Sequence, residues 1–180
     1  LRKNVKLKHF DFFFKDIKKL KKVLFEPSNT PFILKKKIIG RSIKSEKVCN
    51  DISLLKAKKN RIELKGSIKS HEKDGVALLR FLRWFKSTKV NTLDEITLVK
   101  KLEQVRKIDS SFYYNSFDTI SAAGSNAAIT HYRVSPRSNK QIKPSDLILV
   151  DSGGQYLEGT TDVTRTIIKG RVSPEQKFLY

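Results

Sequence analysis

The longest regular alternation of apolar and polar positions runs from Leu64 to Phe85. Leu64, Ile68, His71, Gly75, Leu78, Leu82 and Phe85 recur at intervals of three and four, which places one apolar stripe on a helix. Asn60 stands ahead of the stripe with Glu63 three residues on, the capping-box pattern of a helix start. Trp84 lies beside the stripe, placed to pack on a neighbour. His71 falls on it, and a histidine there is expected to be a packed, hydrogen-bonded core residue rather than a ligand. A second helix is predicted after a short polar link. Thr92 and Glu95 form another capping-box pair, and Ile96, Val99, Leu102 and Val105 repeat every three residues, with Glu95, Lys100, Glu103 and Arg106 on the face away from them.

After residue 110 the period becomes strand-like. Ser116 to Ala122 is a strand candidate, and Leu147 to Val150 is a short apolar run of the kind a buried strand shows. Gly153, Gly154 and Gly159 punctuate the turn that follows, and Thr160 to Ile168 alternates and is rich in β-branched residues. Residues 55–180 therefore read as α+β: two helices, then an antiparallel sheet. Ahead of them, Phe13, Ile17, Leu20 and Leu24 share helical spacing within Phe10–Leu24, although Val23-Leu24-Phe25 also fits the beginning of a short strand. Pro27-Ser28-Asn29 is turn chemistry. Phe32 to Ile39 is apolar and lysine-studded, and Gly40 to Asn50 reads as a basic linker.

Composition changes the picture in two respects. The net charge of the 180 residues is +20. It is concentrated early: residues 1–50 hold 15 basic and 4 acidic side chains, whereas residues 108–180 hold 8 and 7. Such an excess can mark a nucleic-acid binder. Here it is mostly Lys, whereas Arg is the more usual reader of phosphates and bases, and no nucleic-acid motif accompanies it. A solvated lysine surface is the expectation, with no specific nucleic acid as partner. The single cysteine, Cys49, excludes an intrachain disulfide and fits a reducing compartment. No apolar run reaches the roughly 18 residues a membrane span requires.

The candidate chemistry lies in the nearly neutral part. Asp151 ends the apolar strand, and Asp162 lies on the returning one. Antiparallel strands joined this way can bring both carboxylates to one end of a sheet, where they would repel unless cations sat between them. Oxygen ligands suit Mn²⁺, and Zn²⁺ when histidine is present. Spacing alone leaves other readings open: Asp151 as a turn-starting residue, Asp162 as a partner of Arg165.

The residues around the two aspartates carry a resemblance. Val150-Asp151-Ser152-Gly153-Gly154-Gln155-Tyr156, then Gly159-Thr160-Thr161-Asp162-Val163-Thr164-Arg165-Thr166, resembles the metal hairpin of Xaa-Pro aminopeptidases (aminopeptidase P). More broadly it is similar to the creatinase, prolidase and methionine aminopeptidase superfamily, whose catalytic domain has the pita-bread fold. Phe117 to Gly124, Ala127 to Tyr132, Lys56 to Asn60 with Glu63, and His71 through Trp84 match as well. The resemblance covers about residues 50–180, with a fainter match at Phe25–Leu34 to the end of a preceding creatinase-like domain. It implies that residues 1–50 are the C-terminal part of that domain plus a linker, and that residues 51–180 are the first part of the pita-bread domain.

The resemblance also implies roles. Asp151 would bind one metal with both oxygens, and Asp162 would bridge two. His131 would line the substrate pocket and hydrogen-bond the peptide or its tetrahedral intermediate, a catalytic and substrate-binding role. Thr164 and Arg165 receive none. The cofactors would be two divalent ions, Mn²⁺ foremost with Zn²⁺ or Co²⁺ as alternatives. The substrates would be peptides with proline at the second position, cleaved before the proline by a hydroxide bridging the metals. A cytoplasmic homodimer with no membrane association is the implied setting.

One departure matters. The family pattern needs a further His and two Glu ligands after Asp162, but no His follows His131, and Glu175 is the sole acidic residue after Asp162. A chain without methionine, running from Leu1 to Tyr180 and stopping just after the helix-like start Ser173-Pro174-Glu175-Gln176, reads as cut at both ends. The expectation is a fragment that by itself holds two metals poorly, hydrolyses nothing, and exposes a sheet edge. A pita-bread module used only for binding, and a basic nucleic-acid-binding protein, are the alternatives.

Overall fold

The computed structural model describes residues 6–39, 44–47 and 51–179. The chain divides into two compact units, Leu1–Lys58 and Lys59–Tyr180.

In the first unit, α1 (Asp11–Asp16) passes through a 3-10 turn (Ile17–Lys19) into β1 (Lys22–Phe25); then come α2 (Phe32–Ile39), β2 (Lys44–Lys47) and α3 (Asp51–Ala57). Of the two readings open for Phe10–Leu24, the helical one holds only to Asp16, and the strand at Val23-Leu24-Phe25 forms. Lys15, Lys18, Lys19 and Lys22 would stack at intervals of three and four on a continuing helix and repel, whereas Val23-Leu24-Phe25 suits a strand. β1 and β2 pair in parallel, from Lys22 opposite Lys44 to Phe25 opposite Lys47. This corrects the linker reading of Gly40–Asn50 at its centre. Parallel neighbours need a crossover, and α2 supplies it. Residues 40–43 and 48–50 of that stretch, Cys49 among them, lie outside the described residues. Among the described residues the unit's core holds Ile17, Phe25 and Ile38, with Val23 against them.

The second unit opens with α4 (Arg61–Ser87), followed by a 3-10 turn (Val90–Thr92), α5 (Glu95–Arg106), β3 (Phe112–Asn115), β4 (Ile120–Ala123), a 3-10 turn (Gly124–Ala128), β5 (Leu147–Ser152), β6 (Gly154–Tyr156), β7 (Val163–Ile168) and α6 (Pro174–Leu179). The capping box of α4 forms as its residues predict. Asn60 Oδ1 accepts from the amides of Ile62 (2.8 Å) and Glu63 (3.0 Å), and Glu63 Oε2 accepts from the amide of Asn60 (2.7 Å).

The buried face of α4 differs from the expected stripe at its N-terminal half. Leu64 and Ile68 are 51% and 62% exposed, and His71 is exposed, its Nδ1 2.7 Å from the carbonyl of Ser67. His71 is therefore not a core residue. Ser70, Asp74, Ala77, Leu78, Phe81 and Phe85 face inward instead. The period was helical throughout, but two polar members of the true stripe hid its phase. α4 presses this half on the loop after β6: a Cβ at Gly66 would stand 2.3 Å from the carbonyl oxygen of Glu158.

α5 is capped by Asp94, whose carboxylate accepts from the amide of Thr97 at 2.7 Å, while Thr92 belongs to the preceding turn. Glu95 and Arg106, expected on a solvent face, are buried together with Leu98, Leu102 and Val105. The predicted strand at Ser116–Ala122 begins only at Ile120.

Two sheets result: β3 with β6, and β4-β5-β7 in that order, all antiparallel. In the three-stranded sheet, β5 alternates half-buried and buried positions. Ile148, Val150 and Ser152 are buried, and Ile148 and Val150 join Phe81, Phe85, Leu98 and Leu102 in the core. Leu147, Leu149 and Asp151 alternate with them and occupy the other face. Gly153 and Gly154, expected in a turn, instead join β5 to β6, with Gly153 between the two strands and Gly154 the first residue of β6, and the chain turns after Tyr156, where the Tyr156 amide donates to the Gly159 carbonyl.

Candidate metal centre

Asp151 is the fifth residue of β5, half-buried on the open face. Its register partner on β4 is Ile120, and its partner on β7 is Thr164. The Thr164 hydroxyl donates to Asp151 Oδ1 at 2.9 Å. Asp162 immediately precedes β7, two positions before Thr164, and is exposed. His131 lies in the loop between β4 and β5, exposed, with a φ of 53°. A non-glycine residue in that left-handed region is held there by its surroundings. His131 does not join the aspartates as a third ligand: among the described residues no three His, Cys, Asp or Glu side chains come together as a metal would require.

Each predicted ligand sits beside a buried hydroxyl residue that sequence reasoning passed over. Ser152, fully buried after Asp151, accepts from Arg106 Nη2 at 3.0 Å. Thr161, 1% exposed before Asp162, is held at three atoms. Its hydroxyl accepts from the amide of Gly154 (2.9 Å), its amide donates to the carbonyl of Gly154 (2.9 Å), and its own carbonyl accepts from the hydroxyl of Ser116 (2.9 Å). Gly153 makes this approach feasible: a Cβ there would lie 1.9 Å from Thr161 O and 2.3 Å from Ser116 Oγ. The backbones that carry both aspartates are thus fixed from the buried side.

Behind Ser152 lies an ion pair. Arg106 Nε and Nη2 donate to Asp74 Oδ1 and Oδ2 at 2.7 and 3.2 Å, and Tyr156 OH donates to Asp74 Oδ1 at 2.8 Å. Burial by itself pushes the Asp74 carboxyl up, but Arg106, with help from Tyr156 and Thr161, holds it below the ordinary value. Burial, reinforced by the Asp74 charge, pushes the Tyr156 phenol upward, which keeps it protonated and donating.

A second buried carboxylate governs the His131 loop. Glu95 accepts from the amides of Ala123 (2.7 Å) and Lys140 (3.1 Å), from Asn126 Nδ2 (2.9 and 3.2 Å) and from Tyr132 OH (2.8 Å). These partners bracket residues 124–140, and Tyr132 is the neighbour of His131. A sequence signal for Glu95 was present but ambiguous, because an acidic residue in a first helical turn is normally explained by capping.

Residues 66–180 match metallopeptidase family M24. The chain belongs to that family. The probable Xaa-Pro aminopeptidase P of Chaetomium globosum is 44% identical over 138 residues, which are 75% of this chain and 22% of that protein. Its counterpart in Pyrenophora tritici-repentis is 36% identical over 178 residues, 91% of this chain and 30% of that protein. The M24 chain in hand therefore spans well under half of either relative. Among solved structures, the X-prolyl aminopeptidase of Caenorhabditis elegans, a cytosolic enzyme with a di-nuclear active site, superposes with a TM-score of 0.78 at 30% identity over 97% of this chain and 30% of that one. The prolidase of Pyrococcus horikoshii gives 0.78 at 27% identity over 97% of this chain and 48% of that one. The mixed helix-and-sheet architecture is that of the pita-bread aminopeptidases and prolidases. No described helix is long and apolar enough to cross a membrane.

Proposed function

We propose that these residues contribute Asp151 and Asp162 to a dinuclear metal site in an enzyme that removes the N-terminal residue from peptides with proline at the second position. The observation that carries this is the β5–β7 register. It sets Thr164 opposite Asp151, and Asp162 stands two positions before Thr164, on the same side in an extended chain. Diagonal neighbours of this kind lie roughly 7–8 Å apart at Cα, within reach of one cluster of ions.

The donor set fits part of such a group. Both residues offer hard carboxylate oxygens, and Asp151 has one hydrogen bond recorded against about four lone-pair sites. When bound, two divalent ions supply Lewis-acid polarisation of a carbonyl and lower the pKa of a water. Mn²⁺ is our preferred identity, with Zn²⁺ or Co²⁺ as substitutes. This chain's own residues hold and orient. Asp151 and Asp162 grip the cations, the fixed Ser152 and Thr161 backbones keep their spacing, and His131 hydrogen-bonds the peptide. Among the described residues no third ligand stands beside the two carboxylates, and our reading is that by themselves they bind metal weakly and hydrolyse nothing. The whole enzyme is read as a cytoplasmic homodimer with no specific nucleic acid as partner. The cytosolic relative from C. elegans supports the cytoplasmic part of that reading.

Calorimetric titration of the 180-residue chain with Mn²⁺ tests this. Weak binding that Asp151→Asn and Asp162→Asn each abolish is the expected result. Tight two-site binding, or cleavage of an Xaa-Pro peptide by the chain alone, would overturn it.

A further inference from the structure

The geometry points to Thr164 as the positioning residue that sets the orientation of the Asp151 carboxylate for a cation, an inference that rests on the metal reading above. Three observations carry it. Thr164 is directly opposite Asp151 in the β5–β7 ladder, so the two side chains rise from the same face at the close spacing of a cross-strand pair. Its hydroxyl donates to Asp151 Oδ1 at 2.9 Å. Thr164 is itself exposed, so the hydrogen bond does not exist to satisfy a buried group.

The physical role follows from the torsions. An Asp side chain turns about two bonds, and a lone carboxylate near the solvent samples many orientations. Threonine is β-branched and stiff about χ1, and the strand fixes its backbone, so its Oγ1 is a nearly fixed donor. Accepting from it selects one orientation of Asp151. It takes one lone pair of Oδ1 and leaves the second, with both on Oδ2, turned toward a cation. A neutral hydroxyl does this without a charge that would compete with the metal. Arg165 next to it plays no such part: its Nη1 donates to the carbonyl of Thr164 at 2.7 Å. Thr166, two positions on, is also exposed on the open face but stands opposite the apolar Leu149, which makes it the natural control.

The test is Mn²⁺ affinity of the 180-residue chain, measured by calorimetry and by water-proton relaxation, with thermal unfolding recorded alongside. Thr164→Val keeps shape and β-branching and removes the donor. It is expected to weaken Mn²⁺ binding about tenfold, the lower end for loss of a group that orients a metal ligand, with the melting temperature unchanged. Thr164→Ser restores the donor and recovers the affinity, and Thr166→Val leaves it as in the wild type. If Asp151→Asn abolishes binding while Thr164→Val binds like the wild type, or if Thr166→Val is as damaging, the positioning role is wrong and the metal reading survives. A wild-type chain that takes up no Mn²⁺, or an Asp151→Asn variant that binds it undiminished, removes the metal reading and this inference with it.

Discussion

Four carboxylates of the second unit fall into two pairs that differ in everything except charge. Asp74 and Glu95 are 3% and 0% exposed, and each is surrounded by donors. Arg106 and Tyr156 serve Asp74, while two amides, Asn126 and Tyr132 serve Glu95. Asp151 is half-buried with one hydroxyl on it, and Asp162 is exposed. A buried carboxylate that already accepts three or more hydrogen bonds from the protein has little capacity left for a cation. It can only hold the chain in place, which Asp74 does for Ser152 and Glu95 does for the loop of His131. The open pair is the reverse: it holds little and has lone pairs to offer. Within one small unit, the same chemical group is scaffold or candidate ligand according to how many donors reach it.

That contrast can be broken most severely at Arg106. Arg106→Met leaves Asp74 buried without its cation, and the expected loss is about 3–5 kcal/mol in urea unfolding followed by the fluorescence of Trp84. The double variant Asp74→Leu with Arg106→Met removes both charges and should be less destabilised than Arg106→Met alone. Equal or greater loss in the double variant would show that Asp74 does more than answer Arg106. Gly153→Ala comes next, because its Cβ would meet Thr161 O at 1.9 Å. The expected loss is about 1–3 kcal/mol, as for other overpacked sites, together with weaker Mn²⁺ binding as Thr161 and Asp162 shift.

Acid should act more gradually. The folded pKa of Asp74 is below its ordinary value, and that of Glu158 is lowered to about 2, chiefly by its hydrogen bond to Lys73 at 2.7 Å. Protons therefore bind the unfolded chain first as the pH drops. The stabilisation is complete above the ordinary carboxylate values of 3.8 and 4.5 and is lost as the pH falls through the depressed ones. Glu158→Gln should flatten the stability profile between pH 4.5 and about 2 without altering it at pH 7 to 8 in slope. The smallest effect on stability belongs to Asp151→Asn, expected within about 0.5 kcal/mol of the wild type although it abolishes Mn²⁺ binding. A large loss there would place Asp151 with the scaffold carboxylates and erase the distinction.

Much of the candidate site was legible along the chain because its signals are local. The apolar run into Asp151, the β-branched return strand and the capping box at Asn60 each depend on a few neighbouring residues, and each appears in the structure, except that the chain turns later than the glycines suggested and the return strand begins at Val163, which leaves Asp162 just ahead of it. The scaffold was not legible. Ser70, Asp74, Glu95 and Arg106 look like surface residues on helices, and that appearance displaced the buried face of α4 and hid the role of the first residue of α5. The partners of Asp74, Glu95 and Arg106 lie 28 to 82 positions away in sequence, so no window of helical period could have disclosed them. In the first unit, apolar spacing fitted both a helix and a strand at Val23–Phe25, and β2 could be seen only by its pairing with β1.

The sequence by itself determined the α+β character, the start of α4, the strand that bears Asp151 and the one that follows Asp162, and membership in family M24, because periodicity, caps and motif residues act over short stretches of chain. Only the tertiary structure decided which carboxylates are sealed and which are open, since that depends on which donors distant segments bring to each oxygen. Desolvation makes the difference: a buried charge must find partners from elsewhere in the fold, whereas an exposed one can wait for an ion.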